Sequence, residues 1–422
     1  MKKFLAILLS ALLMLSVMTV AASANEPTTL TFWTFQELHV AFYEAMAEKW
    51  NAENPDRQIN LEPTALPYDD MHNKLTIALQ SGVGAPDLVD IEIGKYANYL
   101  KGEPQLVPIN RVVEPELGNI VRSRVDIYAK DGNFYGICFH IGAAVIYYNA
   151  KLCEEAGVNF AEIKTWDDYH EAGKKFLEAT GKAFGTVETG DPWHLWPLLA
   201  SQGGDLLDAD GMPNVNSPEM ERALAFNQEL LREGVLEIAP GSGHHSEEYY
   251  GLMNGGSFGS VIMPMWYMGR FTDYMPDVKD QIYIAALPVW EVGQPRSVGL
   301  GGTGTVVTNQ STAPDLAVDF LAFAKLSLEG NMEIWRLMGF DPIRVETWSM
   351  AELRDEPNKF TDYFINNPFD VLIDIVDEIP AIRVSEFLPP TMDALKNSVL
   401  YRAYEDMADL PSMLAEENAK IQ

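Results

Sequence analysis

The loop Asp191-Pro192-Trp193-His194-Leu195-Trp196 brings two indole rings, an imidazole and a carboxylate close together in the chain. Indole faces bind apolar C–H surfaces, while carboxylate and imidazole groups satisfy hydroxyls. That combination suits a carbohydrate, whose ring face is apolar and whose rim is polar. Asp191, Trp193 and His194 are the ligand candidates. Trp196 reads equally well as core at the start of a helix leading to Leu199. Other chemistries lack their residues. His244 and His245 are adjacent in a glycine-rich loop, without further ligands at zinc spacing. No phosphate-binding G-x-x-x-x-G-K-[ST] occurs, and the one G-x-S-x-G match, Gly255-Gly256-Ser257-Phe258-Gly259, leads into an apolar strand instead of sitting on the strand-to-helix turn of a nucleophile elbow. The glycine cluster at 299–304 precedes a strand instead of following one, so it is not a dinucleotide loop. No metal and no cofactor is expected.

The elements that must hold these residues follow from periodicity. Residues 30–35 alternate as a strand, 37–51 form a helix, and 58–62 a second strand. Residues 69–81 form an amphipathic helix with Leu75, Ala78 and Leu79 on one face, and 87–93 a buried strand. This β-α-β-α-β order predicts a parallel sheet with flanking helices. Ligands of such sheets lie at the carboxyl ends of the strands. That rule selects Phe35, Gln36 and Glu37 after the first strand, and Glu92 and Lys95 after the third. Trp33, inside the first strand, reads as core. Residues 134–148 are a β-branched and aromatic run typical of buried strands. Asn149 caps a short helix over 150–156 that Gly157 closes. Thr165 caps a helix over 166–180, with Asp167 and Asp168 in its first turn. A second α/β block spans about 140–288, with a strand at 183–187 and a helix at 218–233. A strand at 305–308 and a helix over 313–326 follow, and helices separated by proline-rich loops end the chain.

The chain has 422 residues and a formal charge of -31. So acidic a surface argues against nucleic acid and anionic lipid as partners. A hydrophobic share of 47% excludes a disordered chain. Lys2 and Lys3, the apolar run 4–20 and Ala22-Ser23-Ala24 make residues 1–24 a secretory signal peptide. The mature chain then begins at Asn25 and is exported, to a periplasm or the extracellular medium. Cys138 and Cys153 read as two buried thiols in preference to a disulfide.

Several segments, in chain order, resemble the extracellular solute-binding proteins of ATP-driven sugar importers, the maltose-binding-protein-like group. They are KLTIALQSGVGAPDLVDIE, DGNFYGICFHIGAAVIYYNAKLCEEAGVNFAEIKTWDDY, GSVIMPMWYMGRF, GLGGTGTVVTNQSTAPDLAVDFLAFA and GFDPIRVETW. The resemblance covers nearly all of residues 28–422. It implies an α/β, two-lobed periplasmic-binding-protein fold (type II-like), each lobe a sheet flanked by helices. Three crossings, near 136–140, 296–301 and 341–345, would hinge the lobes. The implied division is 25–138 for the first lobe, 139–298 for the second, 299–343 for a return to the first, and 344–422 for C-terminal helices mainly on the second. It implies a monomeric, non-enzymatic clamp that closes on its ligand and presents the closed form to a membrane permease.

By the same resemblance Trp266 and Tyr267 stand where the family places an aromatic against the ligand, with packing between lobes as their other reading. His140 falls in the first crossing, Gly302 near the second and Arg344 beside the third. Arg383 and Phe387 belong to IPAIRVSEFLPP, a loop that reaches the cleft in this family. One departure is that no lipid-bearing Cys lies near the cleavage site. The expected ligand is an oligosaccharide. A polyamine, a peptide or another solute, or a secreted glycoside hydrolase activity, are the competing readings.

Overall fold

The first strand shows its inner face by alternation. In β1 (Thr28–Thr34), Leu30, Phe32 and Thr34 are buried and the residues between them are not. A computed structural model describes residues 26–421, so the signal peptide and Asn25 lie outside the described residues. α1 (Glu37–Glu53) lays Phe42, Tyr43, Met46 and Trp50 over that face, one stripe at helical spacing. The rings of Phe32 and Tyr43 meet at 4.6 Å. β2 (Ile59–Ala65) and β3 (Leu88–Glu92) flank β1, both parallel to it. α2 (Tyr68–Ser81) connects them and ends at Gly82 in the left-handed conformation.

The apolar run 134–148 is one buried stretch but not one structural unit. β4 (Gly136–Cys138) joins the first sheet, and β5 (Ala144–Asn149) is the central strand of a second. Gly142 divides them. Its φ is +69°, and a Cβ there would lie 2.0 Å from the Leu300 carbonyl oxygen. Periodicity alone cannot show this break, because both halves are equally apolar.

α3 (Trp166–Thr180) begins with a full capping box between Thr165 and Asp168. β6 (Gly185–Val187) and β7 (Leu236–Ile238) form a small parallel pair, joined through α4 (Pro218–Glu233). β8 (Ser260–Pro264) and β9 (Ile282–Ala285) flank β5, both antiparallel to it. The chain then returns. β10 (Thr303–Val307) inserts antiparallel between β3 and β4, giving the first sheet the order β2-β1-β3-β10-β4. α5 (Pro314–Lys325) packs on α1. α6 (Leu388–Ala394) and α7 (Leu410–Ile421) come last. Cys138, at the end of β4, and Cys153, in the short helix that follows β5, are both buried and unbonded.

Three chain segments run side by side between the sheets. The Ile141 amide donates to the Asp341 carbonyl at 3.0 Å, and the Leu300 amide to the Gly142 carbonyl at 2.8 Å. Single bridges pair His140 with Pro342 and Ala143 with Gly299. Joints only two or three hydrogen bonds long hold position but resist rotation weakly, as hinges must.

Candidate functional site

The third strand delivers an acid to the edge of the first sheet. Glu92 ends β3, and its Oε2 accepts from the Gly94 amide at 2.7 Å and from the Tyr68 hydroxyl at 3.0 Å. His72, one turn into α2, fixes the strand end. Its Nε2 accepts from the Glu92 amide at 3.2 Å while Nδ1 donates to the Tyr68 carbonyl at 2.7 Å. Burial lowers His72 to about 4, so it stays neutral and keeps this tautomer. Phe35 closes the wall, 5.1 Å from the Tyr68 ring and 5.3 Å from His72. Lys95 projects beside it, 3.9 Å from Asp69 and from Asp393.

The facing wall comes from the second sheet. Asp191 opens the loop after β6 and pairs with Lys396 at 2.5 Å. Trp193 meets Trp266 edge to face at 6.0 Å, and the Trp266 Nε1 donates to the hinge carbonyl of Leu300 at 3.2 Å. His245, exposed, stacks on the other side of Trp266 at 5.6 Å. Behind Asp191 lies Glu188, fully buried, with Oε1 at 3.1 Å from His244 Nδ1. Burial raises Glu188 to about 8, so it carries a proton at neutral pH. Burial likewise raises Glu92 and Asp191, and Lys396 partly offsets both rises. The walls thus present carboxylates as hydrogen-bond acceptors beside indole rings. A neutral ligand with several hydroxyl donors and an apolar ring face matches them.

Six of the residues expected at a ligand gather here: Phe35, Glu92, Lys95, Asp191, Trp193 and Trp266. Gln36 and Glu37 are exposed at the start of α1, beside this wall. Others are turned elsewhere. His194 is core: its Nδ1 accepts from the Glu188 amide at 3.3 Å and its Nε2 meets the Tyr404 hydroxyl at 3.1 Å. Tyr267 is fully buried, donating to the His244 carbonyl at 2.6 Å. His140 is buried against Phe340, with its ring 4.8 Å away. Arg344 is spent on Glu116 and Glu346 and on the Leu326 carbonyl. Gly302 serves backbone packing, since a Cβ there would lie 2.6 Å from Arg124 Nη2. Arg383 anchors its loop to the second lobe, Nη1 donating to the Leu207 carbonyl at 2.9 Å. Phe387, partly buried, packs against the core at the start of α6. His194 and Tyr267 each sit beside a wall residue, Trp193 and Trp266, and only the side-chain direction sets them apart.

Sequence reasoning missed Tyr68, Lys396 and His245. Tyr68 sits at the end of the β2–α2 connection, which the strand-end rule would have reached. Lys396 had no local signal, being brought in by α6 from the far end of the chain. Trp33 is partly buried and packs against the core, as its place inside the strand predicts, with the Lys74 ammonium 4.0 Å from its ring centre. Among the described residues, His170, Glu229 and Glu233 are the one grouping of metal-ligand type. His170 Nε2 contacts the Glu233 carboxylate at 2.5 Å between α3 and α4, with Glu229 beside them, outside both walls.

The family model for bacterial extracellular solute-binding proteins matches residues 36–326. The arabinooligosaccharide-binding protein of Bacillus subtilis strain 168 is 42% identical over 428 residues, covering 99% of each chain. The arabinooligosaccharide-binding protein of Halalkalibacterium halodurans is 45% identical over 373 residues, covering 88% of this chain and 84% of that one. The crystal structure of the cyclic alpha-maltosyl-1,6-maltose binding protein from Arthrobacter globiformis has a TM-score of 0.74 at 21% identity, covering 94% and 98%. Among the described residues no helix is long and apolar enough to cross a membrane.

Proposed function

This chain belongs to the bacterial extracellular solute-binding proteins, and from that premise we propose that it captures arabino-oligosaccharides between its lobes for an ATP-driven importer. The observation that carries the reading is the identity of 42% over 99% of both chains to a protein of that binding specificity. The site agrees in chemistry. Trp193 and Trp266 offer indole surface, and Glu92 and Asp191 accept hydrogen bonds from hydroxyls. The protein works outside the membrane as a monomer, binds without cleaving its ligand, and hands the closed form to a permease. A polyamine would instead require a carboxylate box free of lysine, and Lys396 already occupies Asp191.

Calorimetry against arabinose, arabino-oligosaccharides of increasing length, maltose and spermidine tests the specificity. The expected result is a dissociation constant in the micromolar range, about -8 kcal/mol, confined to the arabino-oligosaccharides. Heat only with spermidine or a peptide would overturn the assignment. Release of reducing ends on prolonged incubation would overturn binding without cleavage.

The same titration tests the walls. Trp266→Ala and Trp193→Ala remove aromatic contact area at the centre of the cleft, and each is expected to weaken binding by about 2 kcal/mol, roughly thirtyfold. Trp33→Phe, within the first strand and outside both walls, is expected to leave it unchanged. Equal losses in all three variants would remove the indole pair from the site.

A further inference from the structure

Lys396 is the cation that pairs with the Asp191 carboxylate at the cleft. It belongs to the segment after α6, and that segment is bound to the second lobe. Tyr404 accepts from Asn227 at 2.8 Å, and Asn418 accepts from the Val215 amide at 3.1 Å. On the same side its ammonium pairs with Asp191. Across the gap, the first lobe contributes Glu92, beyond ion-pair distance of Lys396 but near enough that the ammonium partly offsets the rise that burial imposes on it. α6 reaches across as well, packing on residues 93–96, with Asp393 3.9 Å from Lys95. Asp191 also bears on both Glu92 and Tyr68 of the opposite wall. Two half-buried carboxylates from different lobes repel each other unless a positive charge stands between them.

We infer that Lys396 is a positioning residue that couples ligand capture to lobe closure, bridging Asp191 of the second lobe to Glu92 of the first. The inference rests on the proposed cleft but not on the identity of its ligand. With the lobes apart, Lys396 keeps Asp191 and loses Glu92. With the lobes together, it neutralises both and leaves their remaining lone pairs to accept from ligand hydroxyls. Removing the ammonium leaves two like charges facing each other and opposes closure. Removing Asp191 as well relieves that repulsion.

The test has two arms on the full protein. Dyes at Ile77→Cys and Val292→Cys, exposed positions on opposite lobes, report lobe separation by energy transfer without ligand. Calorimetry with the best-binding sugar reports affinity. Lys396→Met is expected to lower energy transfer and to weaken binding about tenfold or more. Lys396→Arg is expected to keep both near wild type, and Asp191→Asn in the Lys396→Met background to recover part of the transfer. Wild-type transfer and affinity in a folded Lys396→Met variant would overturn the bridge, as would equal loss in the arginine variant. If the wild type bound no sugar, the proposed function would fall while the dye arm still decided this inference.

Discussion

Asp90→Ala is expected to destabilise the first lobe by about 3–5 kcal/mol, the cost of leaving buried partners of a charge without it. Asp90 is fully buried in β3, two residues before Glu92. Its Oδ2 meets His39 Nδ1 at 2.8 Å and accepts from the Thr34 hydroxyl at 2.8 Å; its Oδ1 accepts from Thr305 at 2.5 Å. Thr305 in turn accepts from Lys325 Nζ at 2.6 Å and from the Tyr43 hydroxyl at 2.9 Å. The network ties β1, β3, β10, α1 and α5 together, and it sets the strand from which the cleft acid projects. Burial alone would raise the Asp90 carboxyl, but His39, Lys325 and Thr305 outweigh it and hold it below its ordinary value. Its contribution to stability is therefore present above the usual carboxylate range and is lost as pH falls through it. Burial lowers Lys325 to about 7, so this ammonium depends on Asp90 for its charge. Lys325 keeps its hydrogen bonds to Ile137, Thr303 and Thr305 but loses its counter-charge, so adding Lys325→Met removes an unpaired buried cation and is expected to restore part of the loss. Urea denaturation of wild type, Asp90→Ala and the double variant measures all three. A loss below about 1 kcal/mol in Asp90→Ala would mean the network is replaceable by water.

The first sheet was legible because each of its signals is local. Alternation in β1, the stripe on α1 and the glycine after α2 all lie within a dozen residues. The parallel arrangement then follows from the connections. β10 is different. Its antiparallel place between β3 and β4 depends on a return of the chain from the second lobe, and nothing within residues 303–307 encodes that. The site divides in the same way. Position along a strand was enough to bring Phe35, Glu92 and Lys95 to one wall, because the ends of parallel strands are fixed by topology. Direction decided the rest. His194 is next to Trp193, and both are buried, yet one turns to Tyr404 and the other to Trp266. Tyr267 and Trp266 divide likewise. Adjacent residues of a loop or short helical turn carry no period from which facing can be read. Lys396 required knowing where α6 docks, a contact that spans most of the chain.

Asp341→Asn is expected to weaken the hinge and to flatten its pH dependence. Asp341 is fully buried in the third crossing. Its carboxylate accepts from the amides of Gly142 at 3.1 Å and Ala143 at 2.8 Å, the point where the first crossing turns. Burial raises the group to about 7, and the two amides only partly offset that. A raised acid binds its proton more tightly folded than unfolded. Its contribution is fullest below the ordinary carboxylate range and is lost as pH rises towards about 7. Asparagine keeps one acceptor and puts an amide nitrogen where the other stood, leaving one hinge N–H unpaired at a cost of about 1–3 kcal/mol. Denaturation at pH 5 and pH 8 separates the two effects. The wild type is expected to lose more stability than the variant between those values, since only it must ionise a buried acid. His140 Nδ1 stands 3.9 Å from Asp341 Oδ1, but burial keeps that ring neutral across the same range. An identical pH slope in both proteins would mean that Asp341 is already ionised at pH 5, with its two amide bonds outweighing burial. The hinge would then owe its strength to a charge and not to a proton, and lobe closure would be insensitive to acidity in that range.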